Sequence, residues 1–434
     1  MRILFENYLT RGFWGDEAWT ALISSFPLTE IIRVTAEDFH PPFYYFLVHG
    51  FIQIFGSSEM IRLISLAFFL ITPIPVYLLA KKLTTKKIAW PAAIIVLSSP
   101  ILFTYGFEAR SYALVAFISA FSTLAFWQGL ASKKKKWFWI YGILGAVGVY
   151  THYYLWFIFA SHGVYWLVIE RKQIKRVLMA YMGILVAQLP WVPSLFSQVS
   201  SVADNYWIGP IGNRTHWEFF IRVTGGDHGT PQQMFTVFTF ILLLIISLVA
   251  IKWRRKSIPK QYLFLWFWLL IPVIIPSLIS LYRPVFFYRY LIFSSIPIVL
   301  ISLWGVFNLK NWLGWGVTGF ILALYLSIDL LSFSRFPYTM REEVNSVFEQ
   351  IGDDQTEIYT VLPSFAETMY YAGNRAKVSV LPLGLVQFSG KSLLDSYERQ
   401  GIVEVKEAPI GKNYWLFEPG PKSELIPAKS SKSN

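Results

Sequence analysis

Apolar runs of about one membrane thickness alternate along this chain with short charged breaks. Ten such runs can be drawn, at 60–80, 88–105, 111–131, 137–150, 153–169, 177–196, 235–251, 262–281, 290–304 and 312–331. Crossing a hydrocarbon core of about 30 Å takes about 20 helical residues, and one buried core cannot explain so many runs of that length. The pattern predicts an α-helical polytopic membrane protein of about ten spans. The runs 137–150 and 153–169, separated by Thr151 and His152, are short and predict less tilt or a locally thinned bilayer.

After residue 332 the periodicity changes. REEVNSVFEQI reads as a helix, EIYTVL as a strand, FAETMYYAG as a helix ended by Gly373, KVSVLPL as a strand, SLLDSYERQ as a helix and NYWLFEP as a final strand. The expected organisation is a first outer loop over 1–59, a membrane domain over 60–331, a small α/β domain over 332–420 and a disordered tail over 421–434.

Composition sharpens the class. Of the 434 residues, 55% are hydrophobic and only 15% charged, with a mean hydropathy of +0.46, whereas a soluble domain carries roughly 25% charged residues. The formal charge of +12 does not call for nucleic acid, because the cations cluster between the apolar runs. KKLTTKK (81–87), KKKK (133–136), ERKQIKR (170–176), KWRRKSIPK (252–260) and Lys310 lie on one side; Arg110, Arg214, Arg222, Arg283 and Arg289 lie on the other. That is 18 cations against 5, which makes the first side cytoplasmic. The absence of cysteine excludes a disulfide framework. Met1 to Glu17 lacks the uninterrupted apolar core of a cleavable signal peptide. An outer segment of nearly sixty residues with no span before it predicts an eleventh span upstream, of which MRILFENY would be the end.

Assigned by lysine and arginine alone, this topology gathers carboxylates and histidines on the outer face: Asp16, Glu17, Asp38, His40, Glu108, His152, Asp204, His216, Asp227 and His228. In GFWGDEAWTALISS, Asp16 suits the N-cap of a helix beginning at Glu17. Placed between Trp14 and Trp19 at a membrane surface, the same carboxylate is also a candidate base, since desolvation raises a carboxyl pKa. AEDFHPPFYYFLVHGFIQIFG, 36–56, predicts an interfacial helix with Pro41 and Pro42 in its first turn and His40 at its positive end; an aromatic anchor alone would not need EDFH. The four-residue outer turn of TYGFEARSYAL holds Glu108 and Arg110, either as an exposed ion pair or with the arginine as a phosphate fork. Arg283 and Arg289 in LYRPVFFYRY admit snorkelling or phosphate binding. His152 reads first as a packing residue. Asp227 and His228 in the long loop 197–234 resemble a metal pair only faintly, for want of a third ligand at a telling spacing.

With these residues assembled, the chain resembles the glycosyltransferase C superfamily, specifically glycosyltransferase family 39, the branch near protein O-mannosyltransferases and lipid A aminoarabinose transferases. The likeness runs through FWGDEAW, D-x-HPPFYYFLVH, FGSSEMIRL, FEARSYAL and YTHYY. It implies an integral membrane enzyme that passes a sugar from a polyprenyl-phosphate carrier to an acceptor hydroxyl on a lipid, glycan or protein, at the outer face of the plasma (inner) membrane. By the family pattern Asp16 would be the base with Glu17 beside it, Arg110 would help to hold the donor phosphate, and Asp38 and His40 fall on D-x-HPP. The substrate contacts assigned to Glu108, His152, Arg283 and Arg289 are read from charge and position. No glycine-rich nucleotide loop is visible, which suits a donor already charged on lipid. No cofactor is required; Asp16, Glu17 and the outer histidines leave a divalent cation open. The rivals are a lipid-linked-glycan flippase, which would want charged intramembrane paths such as one containing Asp329, and an inactive envelope scaffold. The sidedness is checked by cysteine labelling: a cysteine at Ser132 should resist impermeant thiol reagents in intact cells, and one at Ser364 should label.

Overall fold

The computed structural model describes residues 8–205, 208–227, 229–254, 257–333, 338–351, 357–383 and 390–428. The MRILFEN start, His228 and the end of the tail from 429 lie outside the described residues. The chain divides into two compact units, one made of Met1–Ile61, Pro193–Trp207 and Arg335–Asn434, the other of Arg62–Val192 and Ile208–Ser334.

Every expected span falls on helix. Arg62–Leu83, Tyr112–Ser132, Ile174–Ser200, Gln232–Trp253, Lys260–Ile279, Tyr288–Leu309 and Asn311–Leu331 are each long and apolar enough to cross a membrane. The expected run 88–105 is a pair, Lys86–Leu97 and Pro100–Gly106, bent by 53°. Pro100 sits in the first turn of the second piece, where it has no N–H to continue the helix before it. The two short runs are the short helices Lys135–Val149 and Leu155–Glu170. The fold class read from the pattern therefore holds.

Helix Ser295–Leu309 is the core of this unit, with Ile296, Leu300, Ile301 and Leu303 all fully buried. Its neighbour is helix Gln232–Arg254. The two approach so closely at Gly305 that a Cβ there would lie 2.2 Å from the Cα of Ser247. Ser247 Oγ uses the same proximity to donate to the carbonyl of Ile301 at 2.7 Å. Small residues that admit backbone contact take the place of a hydrophobic driving force in lipid, where the surroundings are as apolar as leucine.

The other unit joins three helices from the start of the chain, α1 Gly15–Ser24, α2 Leu28–Glu37 and α3 Phe43–Phe55, to the carboxy-terminal α/β elements. Those elements run α4 Met340–Ile351, β1 Glu357–Thr360, α5 Leu362–Ala372, β2 Lys377–Val380, α6 Lys391–Arg399, β3 Glu404–Val405, β4 Tyr414–Glu418 and β5 Lys422–Ile426. The strand order is β3-β2-β1-β4-β5, parallel except for the antiparallel β4–β5 pair. Val344, Phe348, Ile358, Val378 and Phe417 form its core.

Three expectations need correction here. Lys422–Ile426, expected to be disordered, forms β5, because Gly420 adopts φ +82° in the three-residue Pro419–Gly420–Pro421 connection and returns the chain along β4. Helix α1 begins at Gly15 with Trp14 as its N-cap, so Asp16 lies in the first turn and is not the cap. Ser364 is fully buried, its Oγ donating to the carbonyl of Phe417 at 3.1 Å, so no reagent reaches a cysteine there. The exposed Gln400 is the labelling position that serves the expected sidedness instead.

The Gly305–Ser247 contact gives a direct test of the helix packing. Gly305→Ala should lower the unfolding midpoint of the detergent-solubilised protein, a cost of about 1–3 kcal/mol for overpacking. Gly316→Ala, whose Cβ would meet nothing within 4 Å, should not lower that midpoint.

Candidate active site

The carboxylates of the first loop are held by the unit that contains the α/β sheet. Asp16 is half-buried in the first turn of α1, and Glu17 is fully buried, with its N–H donating to the carbonyl of Trp14 at 2.8 Å. Acidic residues suit this place because the helix dipole puts partial positive charge at its amino end. Trp19 meets Tyr45 of α3 edge-on at 5.2 Å, and His49 of α3 bonds the carbonyl of Ser24 at 2.9 Å, which fixes α1 against α3. Just before α3, His40 Nδ1 lies 3.1 Å from Oδ2 of the buried Asp38. The structure therefore brings Asp38 and His40 together as a pair.

A further carboxyl group, which the sequence reading missed, stands beside Asp16. Glu367 of α5 is buried, with its Oε2 4.0 Å from where a Cβ on Gly15 would stand. Burial pushes its pKa up, the Gly15 N–H partly offsets this, and the charge of Asp16 adds to the rise; the result is about 7. No motif marks Glu367 in FAETMYY, since its relation to Gly15 exists only in the folded chain.

The cationic residues belong to the membrane unit. Glu108 and Arg110, in the turn between helices Pro100–Gly106 and Tyr112–Ser132, are both buried, so the turn is not closed by an exposed ion pair. Ser65 Oγ donates to the carbonyl of Arg110 at 2.9 Å, and the Arg110 guanidinium lies 6.0 Å from the Tyr112 ring centre. The Arg289 guanidinium lies 5.4 Å from the ring of Phe287, 5.9 Å from that of Tyr105 and 6.0 Å from that of Tyr288. The rings of Tyr105 and Tyr112 meet at 4.8 Å, so the two arginines share one aromatic wall. His152 is buried on that wall, 4.8 Å from the ring of Tyr290, and its Nδ1 accepts the N–H of Tyr154. Arg283 is half-buried on the loop before it.

Asp227 is held among tyrosines; His228, its partner in the faint metal pair, lies outside the described residues. Asp227 Oδ2 accepts the hydroxyls of Tyr105 and Tyr288, the latter at 3.2 Å, and its Oδ1 lies 3.0 Å from Nη1 of Arg222. It anchors tyrosines that flank Arg289. Among the described residues no three His, Cys, Asp or Glu side chains gather as a metal site. A planar guanidinium presents a fork of donors that matches phosphate oxygens.

Comparison with known proteins gives the setting for this geometry. Residues 39–196 match the model of the dolichyl-phosphate-mannose-protein mannosyltransferase family. His40, Glu108, Arg110 and His152 fall inside that match; Asp16, Glu17, Asp38, Arg283 and Arg289 fall outside it. The fold is similar to that of ArnT from Cupriavidus metallidurans in the apo state, with a TM-score of 0.65 and 13% identity over 96% of this chain and 90% of that one. It is likewise similar to ArnT bound to undecaprenyl phosphate, with a TM-score of 0.63, 12% identity and coverage of 96% and 91%. The oligosaccharyltransferase of Archaeoglobus fulgidus, solved with zinc and sulfate, matches at a TM-score of 0.51 and 14% identity over 85% of this chain and 60% of that one. No curated protein matches the chain in sequence. The resemblance to the glycosyltransferase C superfamily is borne out.

Glu367 supplies a pH test. Its folded pKa lies above the ordinary carboxylate value, so the stability contributed by its neutral form is complete below about pH 4.5 and is lost as pH rises through about 7. Between pH 5 and 8 the wild-type chain should lose stability relative to Glu367→Gln, by about 1–3 kcal/mol at most, as read from unfolding midpoints in detergent.

Proposed function

We propose that this protein transfers a sugar from a polyprenyl-phosphate carrier to an acceptor hydroxyl at the extracytoplasmic face of the inner membrane. The observation that carries the reading is the similarity of the fold, over 96% of the chain, to a protein solved with undecaprenyl phosphate bound. The match of residues 39–196 to a family named for a dolichyl-phosphate sugar donor supports the same donor class. An acceptor that is a lipid, a glycan or a protein satisfies the chemistry equally.

The reaction needs three groups. Asp16 takes the proton of the acceptor hydroxyl as its oxygen attacks the anomeric carbon. The bond from that carbon to the phosphate oxygen breaks in the same displacement, and the polyprenyl phosphate leaves with the electron pair. Arg110 and Arg289 stabilise the negative charge that grows on the phosphate; such electrostatic stabilisation is worth most in a site that excludes water. One displacement inverts the anomeric centre and leaves no sugar on the enzyme. Glu17, Asp38, His40, Glu108 and His152 hold and orient the reacting groups, and Arg283 adds positive charge on the approach to the Arg289 wall.

The test uses purified protein with candidate polyprenyl-phosphate sugars. Asp16→Asn should lower kcat about 10²- to 10⁴-fold while the protein still purifies folded; equal turnover of the two forms would remove Asp16 from the role of base. Arg289→Ala should lower kcat/KM by about 10²-fold or more, with only partial recovery in Arg289→Lys, because an ammonium lacks the planar fork. Movement of the lipid-linked sugar across the bilayer without turnover would favour a flippase.

A further inference from the structure

Helix Lys135–Val149 packs beside helix Ile174–Gln188, the first part of the span Ile174–Ser200, and the two are pinned at both ends. At one end Arg176 Nη1 donates to the carbonyl of Lys133; at the other the hydroxyl of Tyr150 donates to the carbonyl of Ala187 at 2.8 Å. Between these points a Cβ on Gly145 would lie 2.2 Å from Cδ1 of Ile184. Beside that seam the helices leave a cavity of about 450 Å³.

The sequence makes this space. Gly142 and Ala146 of one helix and Ala180 and Gly183 of the other line it. Each pair is three or four residues apart and so lies on one helical face, and small side chains there leave unfilled the volume that larger ones would take. Trp139, Ile143 and Met179 also line it and are exposed, which gives the cavity apolar edges. Lys135 and Ala146 are eleven residues apart, a rise of about 16 Å. That is about half of a hydrocarbon core of about 30 Å, the depth of one leaflet.

One end of the cleft is cationic. Lys135 and Arg176 line it there. Lys135 is exposed, while Arg176 is half-buried and also donates to Oε1 of Gln173 at 2.9 Å, which holds its charge at the mouth. Both helices begin here, so the positive ends of their dipoles add to the two side chains. Between residues 131 and 190 the sequence has one acid, Glu170, and it is paired with Lys172 at 2.5 Å and Lys260 at 2.9 Å. Helix Lys135–Val149 separates this mouth from His152 on the wall that holds Arg289.

We propose that this cleft binds an anionic phospholipid of the leaflet on the lysine-rich side, with an acyl chain along Gly142, Ala146 and Gly183 and the phosphate at Lys135 and Arg176. Basic pockets between membrane helices suit anionic head groups. A zwitterionic lipid brings its own cation to a mouth that is already positive, and a soluble anion gains nothing from the apolar walls. The site is independent of the proposed sugar transfer.

The experiment reconstitutes the full-length protein in phosphatidylcholine vesicles that carry a small fraction of photoactivatable phosphatidylglycerol or, in a parallel set, photoactivatable phosphatidylcholine. After illumination the labelled peptides are identified by mass spectrometry. Phosphatidylglycerol should label residues 135–146 and 176–183 about fivefold or more above phosphatidylcholine. Lys135→Gln and Arg176→Gln should each lower the phosphatidylglycerol labelling about fivefold and leave that of phosphatidylcholine unchanged. Gly183→Leu places a side chain where a Cβ meets nothing within 4 Å, and it should remove the labelling of both peptides. Unfolding midpoints in detergent check that each variant folds; if Arg176→Gln does not, the exposed Lys135 carries the charge test. Equal labelling by the two lipids, or labelling indifferent to Lys135→Gln or to Gly183→Leu, would overturn the proposal. So would displacement of the label by polyprenyl phosphate at concentrations where unlabelled phosphatidylglycerol has no effect, which would give the cleft to the carrier lipid.

Discussion

Charge withdrawn from water must be met by another charge, a hydrogen bond or a ring, and the polar groups of this protein are arranged around that requirement. Asp227 accepts two tyrosine hydroxyls and faces Arg222. Arg289 is flanked by three rings, whose faces carry the negative part of the aromatic quadrupole.

The same requirement applies just before α1, where the hydroxyl of Tyr371 on α5 accepts the N–H of Phe13. A carboxylate in the first turn of a helix benefits from the dipole, but it does not fix the helix end, which needs its own acceptors. Glu367 of α5 places a second carboxyl group near Asp16. Both groups cannot easily be charged at once so close together, and the buried one holds its proton to about pH 7.

How much of this was legible in the sequence depends on the range of the interaction. The spans were, because hydrocarbon demands unbroken apolar length and each run carries its own signal; even the shortness of 137–150 and 153–169 returns as two short helices. The order of elements in the α/β domain was legible up to Glu418 apart from the two-residue β3, since period and turn residues are local. β5 was not, because lysine, serine and glutamate in KSELI look like tail until β4 offers them an edge. Asp16 as a cap failed for a related reason, as the helix already begins at Gly15 and the chain entering it is held by a Phe13 bond to Tyr371, 358 positions away. Asp38 and His40, two residues apart, were readable as a pair. The roles of Tyr105, Tyr288 and Asp227 were not, for they come from three separate segments and no one of them is unusual alone.

An identity of 13% alongside a shared fold has the same origin. Outward positions of the membrane helices, such as Leu242, Ile245, Leu248 and Val249, are exposed in the folded chain and would face lipid tails. Any apolar side chain serves there, because lipid does not discriminate among them. The positions without such freedom are those where backbones touch, as Gly305 touches Ser247, and those where a buried polar group needs its partner. These are few and scattered, so a sequence can change at most positions while the helices, and the polar groups they carry, keep their places.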